Sequence, residues 1–146
     1  MISTKGRYAL RFLIDLAENQ GSAYIPLKDI SERQEVSLKY AERIMTTLAK
    51  AGFVDSQHGK GGGYRLLRAP SECRAGDVLR AMGEELAPVA CLACESGHSQ
   101  AGASLSAGGC HRAQNCRTLP MWRKLDDMIN DFFNSITLAT LTRQVN

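Results

Sequence analysis

Apolar residues recur at helical spacing from the start of the chain. Tyr8, Ala9, Phe12, Leu13, Leu16 and Ala17 fall on one helical face, and Lys5, Arg7, Arg11, Asp15 and Glu18 fall outside it. Ser3 or Thr4 can cap the start of this helix, and Asn19-Gln20-Gly21 ends it. Pro26 opens a short second helix, IPLKDISERQ, that buries Leu27 and Ile30. Ser37 is placed to cap a third, SLKYAERIMTTLAKAG, which Gly52 terminates. In that helix Leu38, Ala41, Ile44, Met45 and Leu48 make the apolar stripe, while Lys39, Arg43, Thr46 and Lys50 share another face.

Two short runs, FVDSQ and YRLLR, alternate as strands and are joined by the glycine-rich stretch from His58 to Gly63. Helix, short helix, helix, hairpin is the order of a winged helix-turn-helix. A fourth helix, AGDVLRAM, packs by Val78, Leu79 and Met82. Further on, Trp122, Leu125, Ile129, Phe132 and Ile136 are spaced 3, 4, 3 and 4, a heptad seam widened by Met128 and Phe133. A domain this small cannot cover so much apolar surface, so pairing with a second copy is expected. The predicted fold is mainly α with a small β-hairpin wing: a winged helix-turn-helix plus a long C-terminal dimerisation helix. Its parts are a DNA-binding unit over 1–86, a cysteine-rich loop over 87–118, and the dimerisation helix and tail over 119–146.

The loop breaks the pattern. CLACESGHSQAGASLSAGGCHRAQNC, from Cys91 to Cys116, has only Leu92 and Leu105 as large aliphatics. It cannot offset its ordering entropy by apolar burial, so a group that binds sulfur is the expected source of order. The 146 residues are otherwise ordinary for a globular chain, at 44% hydrophobic and 23% charged. No apolar run approaches the roughly 18 residues of a membrane span, and the N-terminal residues do not have the form of a signal peptide. A cytoplasmic protein with reduced thiols is expected. The net charge of +3 is uneven: residues 1–70 hold eleven Lys and Arg against seven Asp and Glu, and residues 71–146 hold seven against eight. The basic first half suits a polyanion.

Lys60 is followed by Gly61, which excludes a nucleotide-binding loop, and a wing fits better. There His58, Lys60 and Arg65 are candidates for phosphate or minor-groove contacts. On the third helix Lys39 or Arg43 could read guanine, and Glu42 could accept from a cytosine amine. Ser37 and Tyr40 join them as DNA-binding candidates, and Lys5 and Arg7 as phosphate-neutralising ones. A solvated basic helix face is the plainer alternative. The cysteines run Cys91-x2-Cys94-x15-Cys110-x5-Cys116, with Cys73 read as a small buried apolar residue. The spacing favours an iron–sulfur cluster over zinc, and leaves both open beside a thiol switch. No catalytic constellation stands out, so no enzyme is expected.

STKGRYAL, IPLKDISERQ, SLKYAERIMTTLAKAGFV and GKGGGYRLLRAP resemble the DNA-binding module of the Rrf-two family of winged-helix transcription factors. CHRAQNCRTLPMWRKLDDMINDFFNSITLATL resembles that family's last two cysteines and dimer helix. The resemblance implies a homodimeric repressor or dual regulator, with operator binding controlled by a [2Fe–2S] or [4Fe–4S] cluster that senses iron, redox state or nitric oxide. By position, Cys110 and Cys116 match the family's final pair, and Cys91 or Cys94 its first cysteine. Lys39, Tyr40, Glu42 and Arg43 fall where members read bases, and His58 and Lys60 fall in the wing. The chain departs from the family in several places: its cysteine loop is longer, and Leu119 stands where some members have a ligand histidine. No acid precedes Asp15, and Glu35 occupies a turn position where glycine is common. An all-cysteine site of Cys91, Cys94, Cys110 and Cys116 is the expectation that follows. A zinc-stabilised or thiol-switch DNA-binding dimer, or a small iron–sulfur electron carrier, would be the competing outcomes.

Overall fold

The computed structural model describes residues 1–19, 21, 23–93 and 110–143. The first helix, α1 (Thr4–Asn19), carries Ala9, Phe12, Leu13 and Leu16 into the centre of the fold. Helix α2 (Leu27–Arg33) adds Ile30, and α3 (Leu38–Lys50) adds Ala41, Ile44, Met45 and Leu48. This is the 3.6-residue apolar periodicity expressed as one shared core.

Three positions depart from the predicted pattern, the first being Leu27, expected to be buried in α2 and only half-buried there. Asp15, expected outside the apolar face, is buried, because Arg33 and Gln34 at the end of α2 reach its carboxylate. Leu38, expected in the buried stripe, is 52% exposed: it is the first residue of α3, and the stripe meets the core only from Ala41 onward.

The turn between α2 and α3 is held by backbone bonds from Gln34 N–H to Ile30 O (2.9 Å) and from Val36 N–H to Ser31 O (3.0 Å). Glu35 adopts φ 55°, a left-handed conformation that glycine takes at less cost. Ser37 caps α3 as expected, its Oγ accepting the Tyr40 amide at 3.2 Å. At the other end Gly52 (φ 79°) closes a Schellman pair, with Phe53 N–H to Leu48 O at 3.0 Å and Gly52 N–H to Ala49 O at 3.1 Å.

Strands β1 (Val54–Gln57) and β2 (Gly63–Leu66) pair antiparallel, Val54 opposite Leu66 and Gln57 opposite Gly63. Ile25, just ahead of α2, adds a bridge on the other edge of β2 through Ile25 N–H to Tyr64 O (2.9 Å) and Tyr64 N–H to Ile25 O (2.8 Å). Gly63 permits that approach, since a Cβ there would collide with the Ile25 carbonyl.

Helix α4 (Ala75–Ala81) buries Val78 and Leu79. The chain continues through a single turn, α5 (Ala90–Ala93), to the long α6 (Leu119–Ser135) and then α7 (Leu138–Arg143). Helices α4 and α6 pack closely at Gly76, which lies against Phe133 and Asn134, and Arg80 donates to Asn130 (2.7 Å) and Asn134 (3.2 Å). The chain turns at Ile136, and α7, in the stretch read from sequence as tail, packs back on α1 with Leu138 fully buried. Thr137 caps the turn, and the bonds Ala75 N–H to Ile136 O (2.8 Å) and Leu138 N–H to Cys73 O (3.0 Å) fix it.

Glu84, beyond α4, ties the start of α1 to the beginning of the cysteine segment. Its carboxylate accepts the Ser3 amide at 3.0 Å and the Ser3 hydroxyl, and its side chain lies against Gly6. Burial pushes this carboxyl up, but the Ser3 hydroxyl and the Ser3 and Gly6 amides, with Lys5 nearby, outweigh it and hold it below its ordinary value.

Outward-facing apolar side chains concentrate on α6. Met121, Leu125, Met128 and Phe132, at i, i+4, i+7 and i+11, are its exposed large hydrophobics. Trp122, Ile129 and Ile136 of the predicted seam are half-buried within the protomer. Among the described residues no helix is long and apolar enough to cross a membrane.

Candidate functional site

The capped helix α3 and the hairpin beside it set the geometry. Lys39 and Arg43 are exposed at i and i+4, one helical row, and Leu38 and Glu42 are exposed on the adjacent row. Among the described residues Lys39, Glu42 and Arg43 enter no side-chain ion pair, which leaves their charged ends available to a partner. Ser37 is exposed, with its hydroxyl engaged as the cap. Tyr40 is half-buried and packs edge-on against Tyr8 of α1, ring centroids 5.8 Å apart. Tyr8 in turn lies beneath the Arg11 guanidinium at 4.9 Å, and Arg11 Nε donates to Gln34 at 2.8 Å. Sequence periodicity reads Tyr8 as core alone; in the fold it also joins α1 to Tyr40 of α3. Lys5 and Arg7 are exposed at the start of α1.

At the wing tip His58 and Lys60 are exposed, and Gly59 (φ 89°) and Gly61 (φ 78°) turn the backbone. Arg65 lies lower down. Its Nη2 is 3.5 Å from Asp55 Oδ2, its guanidinium stacks 4.7 Å over Tyr24, and the Tyr24 hydroxyl donates to the same Asp55 oxygen at 2.5 Å. The Tyr24 bond, reinforced by Arg65, holds the Asp55 carboxyl below its ordinary value. Arg65 thus braces the base of the wing, whereas His58 and Lys60 project from it. Glu42 faces the wing too: burial pushes the Tyr64 phenol up, and the Glu42 charge adds to the shift.

Cys73 is fully buried, its thiol pushed up by burial, which matches its reading as a small apolar residue. Cys91 is half-buried on α5, Cys110 is exposed, and Cys116 is half-buried ahead of α6; all are free thiols. Cys94 lies outside the described residues. The Cys116 sulfur is 3.3 Å from the Thr118 hydroxyl. That hydroxyl and the Thr118 amide, helped by the Leu119 amide and by Arg112, hold its thiol below the ordinary value despite some desolvation. His111 and Arg112 line an open cleft beside it. The donor set suits a soft, thiophilic metal in kind. Among the described residues no group of three potential ligands converges.

Comparison with known proteins agrees with this geometry. Residues 2–144 match the Rrf2 family, described as "Iron-dependent Transcriptional regulator". The chain is 37% identical over 140 residues to the HTH-type transcriptional regulator IscR of Escherichia coli, covering 96% of this chain and 78% of that one. Among solved structures, T. potens IscR matches with a TM-score of 0.71 at 31% identity, covering all of this chain and 88% of that one. CymR, the global cysteine regulator of B. subtilis, matches with a TM-score of 0.74 at 29% identity, covering all of this chain and 98% of that one. The oxidized form of Staphylococcus aureus CymR matches with a TM-score of 0.69 at 32% identity over the same shares. With its winged helix and a family match over residues 2–144, the chain belongs to the Rrf2 family of DNA-binding transcriptional regulators and is not an enzyme.

Proposed function

We propose that this regulator is a cytoplasmic homodimeric repressor whose operator binding follows an iron–sulfur cluster held by Cys91, Cys94, Cys110 and Cys116. The observation that carries the DNA part is the exposed Lys39–Arg43 row on a capped helix beside a wing with Lys60 at its tip. In this reading α3 enters the major groove, Lys39 and Arg43 read guanine, and Glu42 accepts from a cytosine amine. Tyr40, Ser37, Lys5 and Arg7 contact phosphates, and His58 and Lys60 follow the backbone or the minor groove. Arg65 contributes through the wing it braces. Exposed Met121, Leu125, Met128 and Phe132 support pairing of α6 with its copy, joined by Trp122, Ile129 and Ile136 at the edges. The two recognition helices of such a dimer must sit about 34 Å apart, or a multiple of it.

For the cluster, support comes from free thiols at Cys91, Cys110 and Cys116 and from the bias of Cys116 toward thiolate, the form that ligates metal. When bound, the cluster would supply iron that reacts with oxidants or nitric oxide. The thiolates would tie together the two ends of the cysteine segment, next to α6. The same Cys116 bias favours a second reading, a thiol switch with no metal, in keeping with the likeness to an oxidized CymR structure.

The deciding experiment is anaerobic purification of the full chain, with its visible spectrum, iron, sulfide and zinc measured on one sample and operator binding measured in parallel. Brown protein with matched iron and sulfide, losing colour and changing DNA affinity together on exposure to oxidant, supports the cluster. Colourless metal-free protein whose DNA affinity responds to a disulfide-forming oxidant selects the thiol switch, and one zinc per chain selects a structural site. If Cys94→Ala leaves the spectrum and lifetime of the cluster unchanged, ligation by all four cysteines is wrong.

A further inference from the structure

Leu38 is the one large apolar side chain of α3 that the core does not take up. Ile44, Met45 and Leu48 are at most 1% exposed, and Leu38 is 52% exposed. An exposed leucine is ordinary on a protein surface, so exposure alone means little. Its position carries the argument. It is the first residue of the recognition helix, directly after the Ser37 cap, where helices of this type bring side chains to base edges. It also sits one turn before Glu42, on the row adjacent to Lys39 and Arg43.

An aliphatic side chain carried into the major groove gains nothing from phosphate or from the polar base edges. The apolar group the groove offers is the C5-methyl of thymine. We infer that Leu38 is a specificity-determining residue that reads a thymine methyl in the operator. Glu42 on the same row reads a cytosine amine, and the four-residue rise of about 6 Å places the two bases about two steps apart. The row would recognise one methyl and one amine, while the Lys39–Arg43 row recognises guanine. This rests on the reading of α3 as the helix that enters the groove.

The test starts from sites selected by the full-length protein out of a random duplex pool. Each thymine of the best site is then replaced by deoxyuridine, which removes only the methyl. Wild-type protein should lose about fourfold in affinity at one thymine per half-site, the value of one buried methyl group. Leu38→Ala should bind the thymine and uracil duplexes equally, and Lys39→Ala should keep the discrimination. Glu42→Gln should relax the preference about two base steps away. Because Leu38 is half in solvent, its replacement leaves the core intact, which unchanged circular dichroism would verify. Uniform tolerance of uracil by the wild type, or equal sensitivity in Leu38→Ala, overturns the inference and leaves α3 as a groove-binding helix. Failure to select any sequence overturns both.

Discussion

Arg33 grips Asp15 across the junction of α1 and α2, with Nη2 2.6 Å from Oδ1 and Nε 3.0 Å from Oδ2. The carboxylate is only 3% exposed, and Gln34 Nε2 donates to it at 2.9 Å. This pair ties α1 to the end of the short helix that precedes α3. Arg33→Met removes the counter-charge and leaves a buried carboxylate with one amide partner. It should destabilise the protein by about 2–3 kcal/mol, less than a fully buried pair because the arginine is 38% exposed. Urea denaturation measures this. The double variant Asp15→Leu/Arg33→Met should recover most of the loss, since neither charge is then stranded.

Glu35 holds φ 55° between α2 and α3. Glycine enters that region without a Cβ penalty, at some cost in unfolded-state entropy. Glu35→Gly should therefore stabilise the fold by about 0.5–1 kcal/mol, raising Tm by about 2–4 °C, with operator affinity unchanged. A fall in Tm would show that the Glu35 side chain contributes more than its backbone costs.

Glu84 reports on acid. Its carboxyl lies below its ordinary value in the folded chain, so the stability it supplies is present above the unfolded pKa and is lost as pH falls through the lower folded one. Glu84→Gln should cost about 1 kcal/mol at pH 7, comparable to loss of a helix cap. The difference in Tm between variant and wild type should shrink as pH falls through the lowered folded pKa, beneath which both side chains are neutral. A constant difference across the range would assign the effect to packing against Gly6.

The exposed face of α6 separates assembly from folding. Phe132 is 60% exposed in the protomer, so Phe132→Glu should leave helical content unchanged by far-ultraviolet circular dichroism. If two α6 helices pair, the same change should shift sedimentation from dimer to monomer and weaken operator binding by at least tenfold through loss of the second half-site. Unaltered sedimentation would place the interface elsewhere.

The 3.6-residue pattern made α1, α3, α4 and α6 legible, and Ser37, Gly52 and the Gly59–Gly63 tip marked where elements begin and end. Misread positions depended on partners distant in sequence. Asp15 looks solvent-facing until Arg33, 18 residues on, is placed beside it. Leu38 fits the stripe by number, yet the first turn of α3 extends beyond the core. On α6 the seam residues Leu125 and Phe132 are exposed beside Met121 and Met128, while Trp122, Ile129 and Ile136 are half-buried in the protomer. A local signal for α7 was present in Thr137, which caps it, but six residues are too few for periodicity to register. The exposure of Lys39, Glu42, Arg43, His58 and Lys60 was readable because charged side chains on a capped helix and a glycine-rich hairpin cannot enter the core, whereas nothing local reveals Asp55 and Tyr24 around Arg65.

The return of α7 onto α1 makes the winged helix a discontinuous domain. Its first and last helices share one core, and the cysteine segment and α6 are an insertion between them. A fragment ending near residue 86 therefore lacks Leu138, and a vacancy of that size costs about 2–5 kcal/mol. The core of the winged helix is completed by α7. During synthesis Leu138 can join that core only after the cysteines and α6 have been made, so the full stability of the winged helix follows manufacture of the segments proposed to control it.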